Sequence, residues 1–212
     1  MAFQFNGTNQ YLSTSAPVTA APLTMACWVY KTDVTAGGFA LMSLSDEGAS
    51  SDNIDLSHQN ATNRIRAGSQ FNAGTLETAV TTSGMTNNTW HHACGVWESA
   101  SSRKAYIDAA NDGTNSVSVT PVGIQKLFIG ARFFGSLGGY INGRIAECGI
   151  WNVALTAAEI ASLAKGMTCD KVRPQSLVFY APLVRDLIDY KGGLTITNNN
   201  TATVANHPRV YA

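Results

Sequence analysis

Arg132-Phe133-Phe134-Gly135-Ser136-Leu137-Gly138-Gly139-Tyr140 is the segment of this chain best equipped for recognition chemistry. Two aromatic rings beside an arginine in a glycine-rich loop can stack on sugar rings or anchor a protein partner, because aromatics and arginine dominate interface hot spots. Trp97, near a strand end and on the face opposite Trp90, is a second candidate of the same kind. Residue types that support catalysis are present, but their spacing is poor. Glu47, Glu77, Glu98, Glu147 and Glu159 are scattered; Glu159 is accounted for by a helix cap and Glu147 by a structural role at a strand end. His91 and His92 are adjacent, so on a strand they point to opposite faces and cannot easily share one metal. No serine sits in a nucleophile elbow, and His58 and His207 have no visible partners. Cys27, Cys94, Cys148 and Cys169 lack metal-ligand spacing and read as small core hydrophobes, with a disulfide between neighbouring strands as the alternative. The N-x-T sequons at Asn6, Asn60, Asn87 and Asn199 arise by chance in a chain this rich in Asn and Thr.

Strands must hold most of these residues. Phe3 and Phe5 share one face of a first strand closed by Asn6-Gly7, and Tyr11-Leu12 follows. Leu23, Met25, Cys27 and Val29 share a face of the next strand, with Thr24, Ala26, Trp28 and Tyr30 opposite. Gly37-Gly38 turns the chain into a strand at 39–44. Further short runs at 54–58, 64–68, 76–81, 90–97, 104–108, 117–120, 127–131 and 177–183 are separated by turn signals, the pattern of a sandwich or barrel. Ile145, Ala146, Cys148, Ile150 and Trp151 form a nearly continuous apolar run, as expected of a strand buried between two sheets. Thr156 and Glu159 then make a T-x-x-E capping box that predicts a helix start at Thr156. Ile160, Leu163 and Ala164 fall on one helical face, Lys165 suits the C-terminal dipole, and Gly166 can take the left-handed conformation that stops the helix after about two turns.

A chain of 212 residues that is 45% hydrophobic can bury the core of one domain. Only 13% of residues are charged and the formal net charge is zero, which argues against binding a phosphate backbone. No run approaches the roughly 18 apolar residues that span a bilayer. The chain opens Met-Ala-Phe-Gln-Phe-Asn-Gly, with neither a charged n-region nor an apolar h-region. The expectation is a soluble protein made in the cytoplasm, acting outside a cell if it leaves within an assembled particle or loses a signal peptide.

Several segments, in order, resemble the laminin-G-like, concanavalin A-like jelly-roll family. Phe5-Asn6-Gly7 with Tyr11-Leu12 looks like the family's opening motif, Trp28-Val29-Tyr30 its second strand, and Trp90-His91-His92-Ala93 its central tryptophan and histidine strand. Ala105-Tyr106-Ile107-Asp108, Leu127-Phe128-Ile129-Gly130-Ala131 and the stretch from Tyr140 to Gly166 complete the set. Gln10 stands where many members carry an acidic residue, and Ala109 replaces the glycine expected after the aspartate. The resemblance implies an all-β fold, a two-sheet antiparallel jelly-roll sandwich of six or seven strands per sheet with one short α-helix in the C-terminal half. Residues 1–166 would form the sandwich, and 167–212 a connector and tail packed on the same sandwich or on a neighbouring subunit. The matching family histidine is a packing residue that hydrogen-bonds inside the sandwich. Glycosidases on this scaffold use an E-x-D-x-E pattern, which is lacking here. No cofactor is required, but many members hold calcium at the sandwich rim. Asp46, Asp52 and Asp55 in the oxygen-rich segment 45–55 are the candidate ligands, a solvated loop being the competing reading and Gln10 weighing against calcium.

The tail has its own likeness. Leu177 to Leu183 reads as one more strand interrupted by Pro182, and the Asp189-Tyr190-Lys191-Gly192-Gly193 and His207-Pro208 motifs resemble those of tailed-bacteriophage virion proteins. The expectation is a non-catalytic virion-surface protein, a capsid decoration or fibre-associated component binding capsid or other virion proteins and cell-surface glycans. It would be assembled in the host cytoplasm as a homo-oligomer, a trimer being the form that matches capsid local threefold axes. Phe179, Tyr180 and Tyr211 are the candidate contact residues. The alternatives are a carbohydrate-binding module of a secreted bacterial protein and, third, a cryptic glycoside hydrolase.

Overall fold

The computed structural model describes residues 2–32, 38–48, 51–59 and 62–211. Strands β1 (Ala2–Asn6), β2 (Tyr11–Ser15), β3 (Leu23–Lys31), β4 (Ala40–Ser45), β5 (Asn53–Gln59), β6 (Arg64–Gln70) and β7 (Glu77–Gly84) come first. They are followed by β8 (Trp90–Ser99), β9 (Ser102–Ile107), β10 (Ala110–Asn115) and β11 (Lys126–Ile129), then by a short hairpin of β12 (Arg132–Phe134) and β13 (Ser136–Gly138). β14 (Asn142–Trp151) leads into helix α1 (Ala157–Ala164), and β15 (Leu177–Ala181), β16 (Thr197–Asn199) and β17 (Thr203–Ala205) follow.

The strands form two antiparallel sheets. One has eight strands in the order β10-β9-β8-β3-β14-β1-β17 with β15 also pairing β14; the other has seven in the order β16-β2-β11-β4-β5-β6-β7. Alternation decides what each face does. Met25, Cys27 and Val29 of β3 and Ile145 and Ile150 of β14 meet Leu12, Met42, Leu44, Leu56, Ile65, Leu127 and Ile129 from the facing sheet in one buried core. A second cluster lies on the outer face of the eight-stranded sheet. There Ala26, Cys94, Val96 and Trp151 are covered by Ile160 and Leu163 of α1 and by Cys169, Val172 and Leu177. The helix starts as its residues dictate: Thr156 Oγ1 accepts the Glu159 amide, and the Glu159 carboxylate accepts the Thr156 amide at 2.7 Å. It ends at Gly166, whose φ of +98° is the left-handed cap. All four cysteines are buried free thiols, so they serve as small core residues.

One element expectation is corrected. No strand forms at 117–120, because Asp108 and Ala109 both take positive φ (49° and 69°) and reverse the chain at once into β10. The 117–120 segment is held instead by Arg103, which donates to the Val117 carbonyl at 2.7 Å, and by the Val119 amide on the Ala100 carbonyl at 3.0 Å. Gly37 of the expected Gly37-Gly38 turn and Asn60 of the second sequon lie outside the described residues. The tail, meanwhile, completes its own sandwich: β15 pairs β14, β16 pairs β2 and β17 pairs β1.

Candidate functional site

The outer face of the seven-stranded sheet carries side chains of a different character from its inner face. Tyr11 and Ser13 of β2, Phe128 of β11, Ser43 and Ser45 of β4, Asn53, Asp55 and Ser57 of β5, and Arg66, Gly68 and Gln70 of β6 project there by strand parity. The register aligns Phe128, Ser43, Asp55 and Gly68 in one row across β11, β4, β5 and β6. Over β4 and β5 lies the β12–β13 hairpin, in which Arg132 pairs with Gly138 and Phe134 with Ser136, and Gly135 makes the tip with φ +65°. The glycine-rich loop of the sequence is therefore an ordered flap. Tyr140, at its base, packs its ring 6.2 Å from that of Tyr11.

Beneath the flap the polar groups are only partly matched. Asp55 is fully buried, and neither of its carboxylate oxygens accepts a hydrogen bond among the described residues. Arg132 Nη1 stands 3.5 Å from Asp55 Oδ2, an ion pair without hydrogen-bond geometry. Arg66, on β6, donates its Nε to Ser57 Oγ at 3.2 Å and feels the Asp55 charge without an ion-pair contact. Burial pushes the Arg66 guanidinium below its ordinary value; Asp55 pulls it up and the Arg132 charge pushes it down. Gly68 makes room here, since a Cβ would collide with Asp55 Oδ1. Outward of this polar cluster, Phe134 is 41% exposed, with the Arg132 guanidinium 5.9 Å from its ring centroid. Arg132, Phe134 and Asp55 thus come together, whereas Phe133, half-buried between them on β12, projects to the other face of the hairpin by strand parity. Sequence reading missed Arg66, Ser57, Phe128 and Tyr11 as neighbours, although the alternation through 54–58 and 64–68 already put Asp55 and Ser57 on one face and Arg66 on one face of the next strand.

Other expected site residues do other work. Trp97 is 1% exposed and points into the core, where its Nε1 donates to Ser69 Oγ at 3.1 Å; it is a packing residue and not a surface platform. Phe179 is buried in the core, and Tyr180 is buried with its hydroxyl donating to Glu147 Oε2 at 2.6 Å, so neither is available for a subunit contact. The reason is that β15 adds to the chain's own β14. Glu147, held at φ +54° where the pairing of β14 with β3 slips, also meets His207 Nε2 at 3.1 Å and so locks the tail to the sheet. Tyr211 is 67% exposed.

The three aspartates proposed for calcium do not pool their oxygens. Asp46 Oδ1 accepts the Gly48 amide at 2.7 Å and Gln125 Nε2 at 3.2 Å. Asp52 accepts the Asn72 and Val122 amides at 2.6 and 2.7 Å, and Asp55 faces the arginines. Among the described residues no group of three or more His, Cys, Asp or Glu side chains is placed to hold a metal; Ala49 and Ser50 of that segment lie outside them.

His91 links Asp108 and Thr86 in one hydrogen-bonded chain. Its Nδ1 stands 2.6 Å from Asp108 Oδ2, and its Nε2 is 2.9 Å from Thr86 Oγ1. The Thr86 backbone amide also donates to Nε2 at 3.0 Å, so the lone pair that would take a hydroxyl proton is already engaged. The group fastens the turn before β8. Asp108 is pushed up by burial, but hydrogen bonds from His91 and the His92 amide outweigh this and hold its carboxyl below the ordinary value. His92 is buried with its ring 5.6 Å from that of Trp28, and burial lowers its imidazole to about 4 against the pull of Asp108.

Comparison with known proteins agrees with this architecture. A family model described as the concanavalin A-like lectin/glucanases superfamily matches residues 6–161. No curated protein sequence matches the chain. A heptameric SAP-like pentraxin from Limulus polyphemus superposes with a TM-score of 0.66 at 16% identity, over 97% of this chain and 94% of that one. Domain 4 of AbnA, a GH43 extracellular arabinanase from Geobacillus stearothermophilus, in complex with arabinotriose, superposes at 0.62 and 17% identity, over 77% of this chain and 76% of that one. The CBM40 of Ruminococcus gnavus IT-sialidase bound to alpha2,3 sialyllactose gives 0.61 at 11% identity, over 77% of this chain and 95% of that one. Identities this low speak for the fold alone.

Proposed function

The chain belongs to the concanavalin A-like lectin/glucanases superfamily, and from that premise we propose that it recognises glycans without cleaving them, at the flap-covered outer face of its seven-stranded sheet. The observation that carries this reading is the pairing of an exposed Phe134 ring with Arg132 directly beside a polar sheet face. An aromatic face can stack on the apolar side of a sugar ring, while the half-buried Arg132 and the exposed Ser136 of the flap meet its hydroxyls. Two structures of similar fold hold oligosaccharides, which favours the same use here. The carboxylates support the non-catalytic reading: Glu147 and Glu159 are engaged in structural hydrogen bonds, and buried Asp55 pairs with Arg132 where hydrolysis needs a second acid.

A glycan array probed with the wild-type chain and with Phe134→Ala tests the reading. The expected result is a wild-type hit whose affinity drops at least about tenfold in the variant, with the oligosaccharide recovered intact. A wild-type protein that binds no glycan would refute it. The setting we favour is the surface of a tailed-bacteriophage particle, supported by the likeness of the Asp189 to Gly193 and His207-Pro208 motifs to virion proteins. Mass spectrometry of purified particles decides that point; presence in culture supernatant and absence from every virion would assign the module to a secreted bacterial protein instead.

A further inference from the structure

We infer that the glycan bound at this face is acidic, and that Arg66 and Arg132 seat its carboxylate or sulfate group. This rests on the glycan reading above and names its ligand class. The first argument is charge. The chain as a whole carries no net charge, yet under the flap Arg132 stands 3.5 Å from Asp55 and Arg66 feels both charges, so that among the described residues two guanidiniums share one carboxylate there. Like charges held together in a half-buried place are costly unless an anion joins them. Burial and the Arg132 charge both act to lower the Arg66 guanidinium, so the site resists its own charge.

The second argument is geometry. A structural arginine–carboxylate pair closes into two parallel hydrogen bonds near 2.8 Å. Asp55 has none: Arg132 Nη1 stops at 3.5 Å, and both carboxylate oxygens are buried without a donor among the described residues. Arg132 is also 29% exposed in its side chain and sits over Phe134, so its planar fork can turn from Asp55 to an incoming anion without crossing the core. An anion for the arginines and an apolar ring face for Phe134 are combined in an acidic pyranose.

The test compares matched ligands by calorimetry: trigalacturonate against its carboxyl-reduced form, 3′-sialyllactose against lactose, and a sulfated disaccharide against its desulfated form. At least one acidic member should bind ten times or more tighter than its neutral partner, with an affinity that falls as sodium chloride is raised. Arg132→Gln, at a partly exposed position, should abolish that preference with little change in melting temperature, and Arg66→Gln should do the same if it folds. Neutral and acidic partners binding equally, or an acid preference that survives Arg132→Gln, would overturn the inference and leave glycan recognition standing. Binding of no member of any pair, together with an empty array, would overturn both.

Discussion

His92 ties the stability of this sandwich to pH. In the folded chain its ring is buried beside Trp28 and stays neutral down to about pH 4, whereas an unfolded imidazole takes up its proton near 6.5. Between those values the unfolded state binds more protons, so stability is complete above about pH 6.5 and falls as the pH drops through the window. At about 1.4 kcal/mol per pH unit the loss approaches roughly 3 kcal/mol by pH 4. Urea titrations at pH 7, 5.5 and 4 should show this slope, and His92→Gln should flatten it while lowering stability at pH 7. The loss attached to Asp108, whose carboxyl is held below its ordinary value, begins at still lower pH. At this scale the sequence was legible in parity and not in polarity. Trp90 and Trp97 are seven residues apart, so they had to lie on opposite faces of one strand, but only the pairing of β8 with β3 and β9 reveals that the Trp97 face is the core. The same limit applies to Asp55: its face was readable, and its two arginines, one of them from a distant hairpin, were not.

Helix α1, written in local chemistry, is legible in the sequence, and the β12–β13 flap, decided by tertiary contacts, is not. Helix α1 is of the first kind, because the Thr156–Glu159 box, the Ile160 and Leu163 face and Gly166 all lie within eleven residues of chain. Replacing Thr156 by alanine removes the acceptor for the Glu159 amide and should cost about 0.5–2 kcal/mol. Leu163→Ala, at a side chain buried against the outer face of the eight-stranded sheet, should cost about 2–5 kcal/mol. Chemical denaturation of both variants checks the order, and an equal loss would mean that the helix contributes little packing. The β12–β13 flap is of the second kind. Its glycines carry no alternation, and it becomes a hairpin because Arg132 and its neighbours rest on β4 and β5. The predicted strand at 117–120 failed for a related reason: Val117 looks like a strand residue, but the reversal at Asp108-Ala109 brings β10 in earlier.

At the scale of the whole molecule, the tail changes from an attachment device into part of the building. The sequence showed its strand at 177–183 but could not choose between this sandwich and a neighbour's, because an Asn- and Thr-rich stretch joins a sheet through backbone pairing that leaves little mark on side-chain pattern. Here β16 and β17 extend opposite sheets at their β2 and β1 edges, and Phe179, Leu183, Ile196 and Ala202 enter the main core. The exposed aromatic left for an oligomer contact from the expected set is Tyr211, which borders a groove of about 530 Å³ with Met167, Lys165 and Lys171. If the protein assembles with itself through this end, Tyr211→Ser should reduce the mass seen by light scattering, at low and high salt alike, without lowering the melting temperature. Deleting residues 177–212 should act quite differently. It strips β14 of its β15 partner, bares the β1 and β2 edges and empties core space filled by Phe179 and Leu183, losses that together exceed the roughly 5–15 kcal/mol of a typical domain's stability. The truncated chain should therefore lose its cooperative urea transition and bind a hydrophobic dye. A soluble truncated monomer that unfolds cooperatively would mean that residues 1–176 hold the sandwich alone, and would return the tail to the role of a detachable arm.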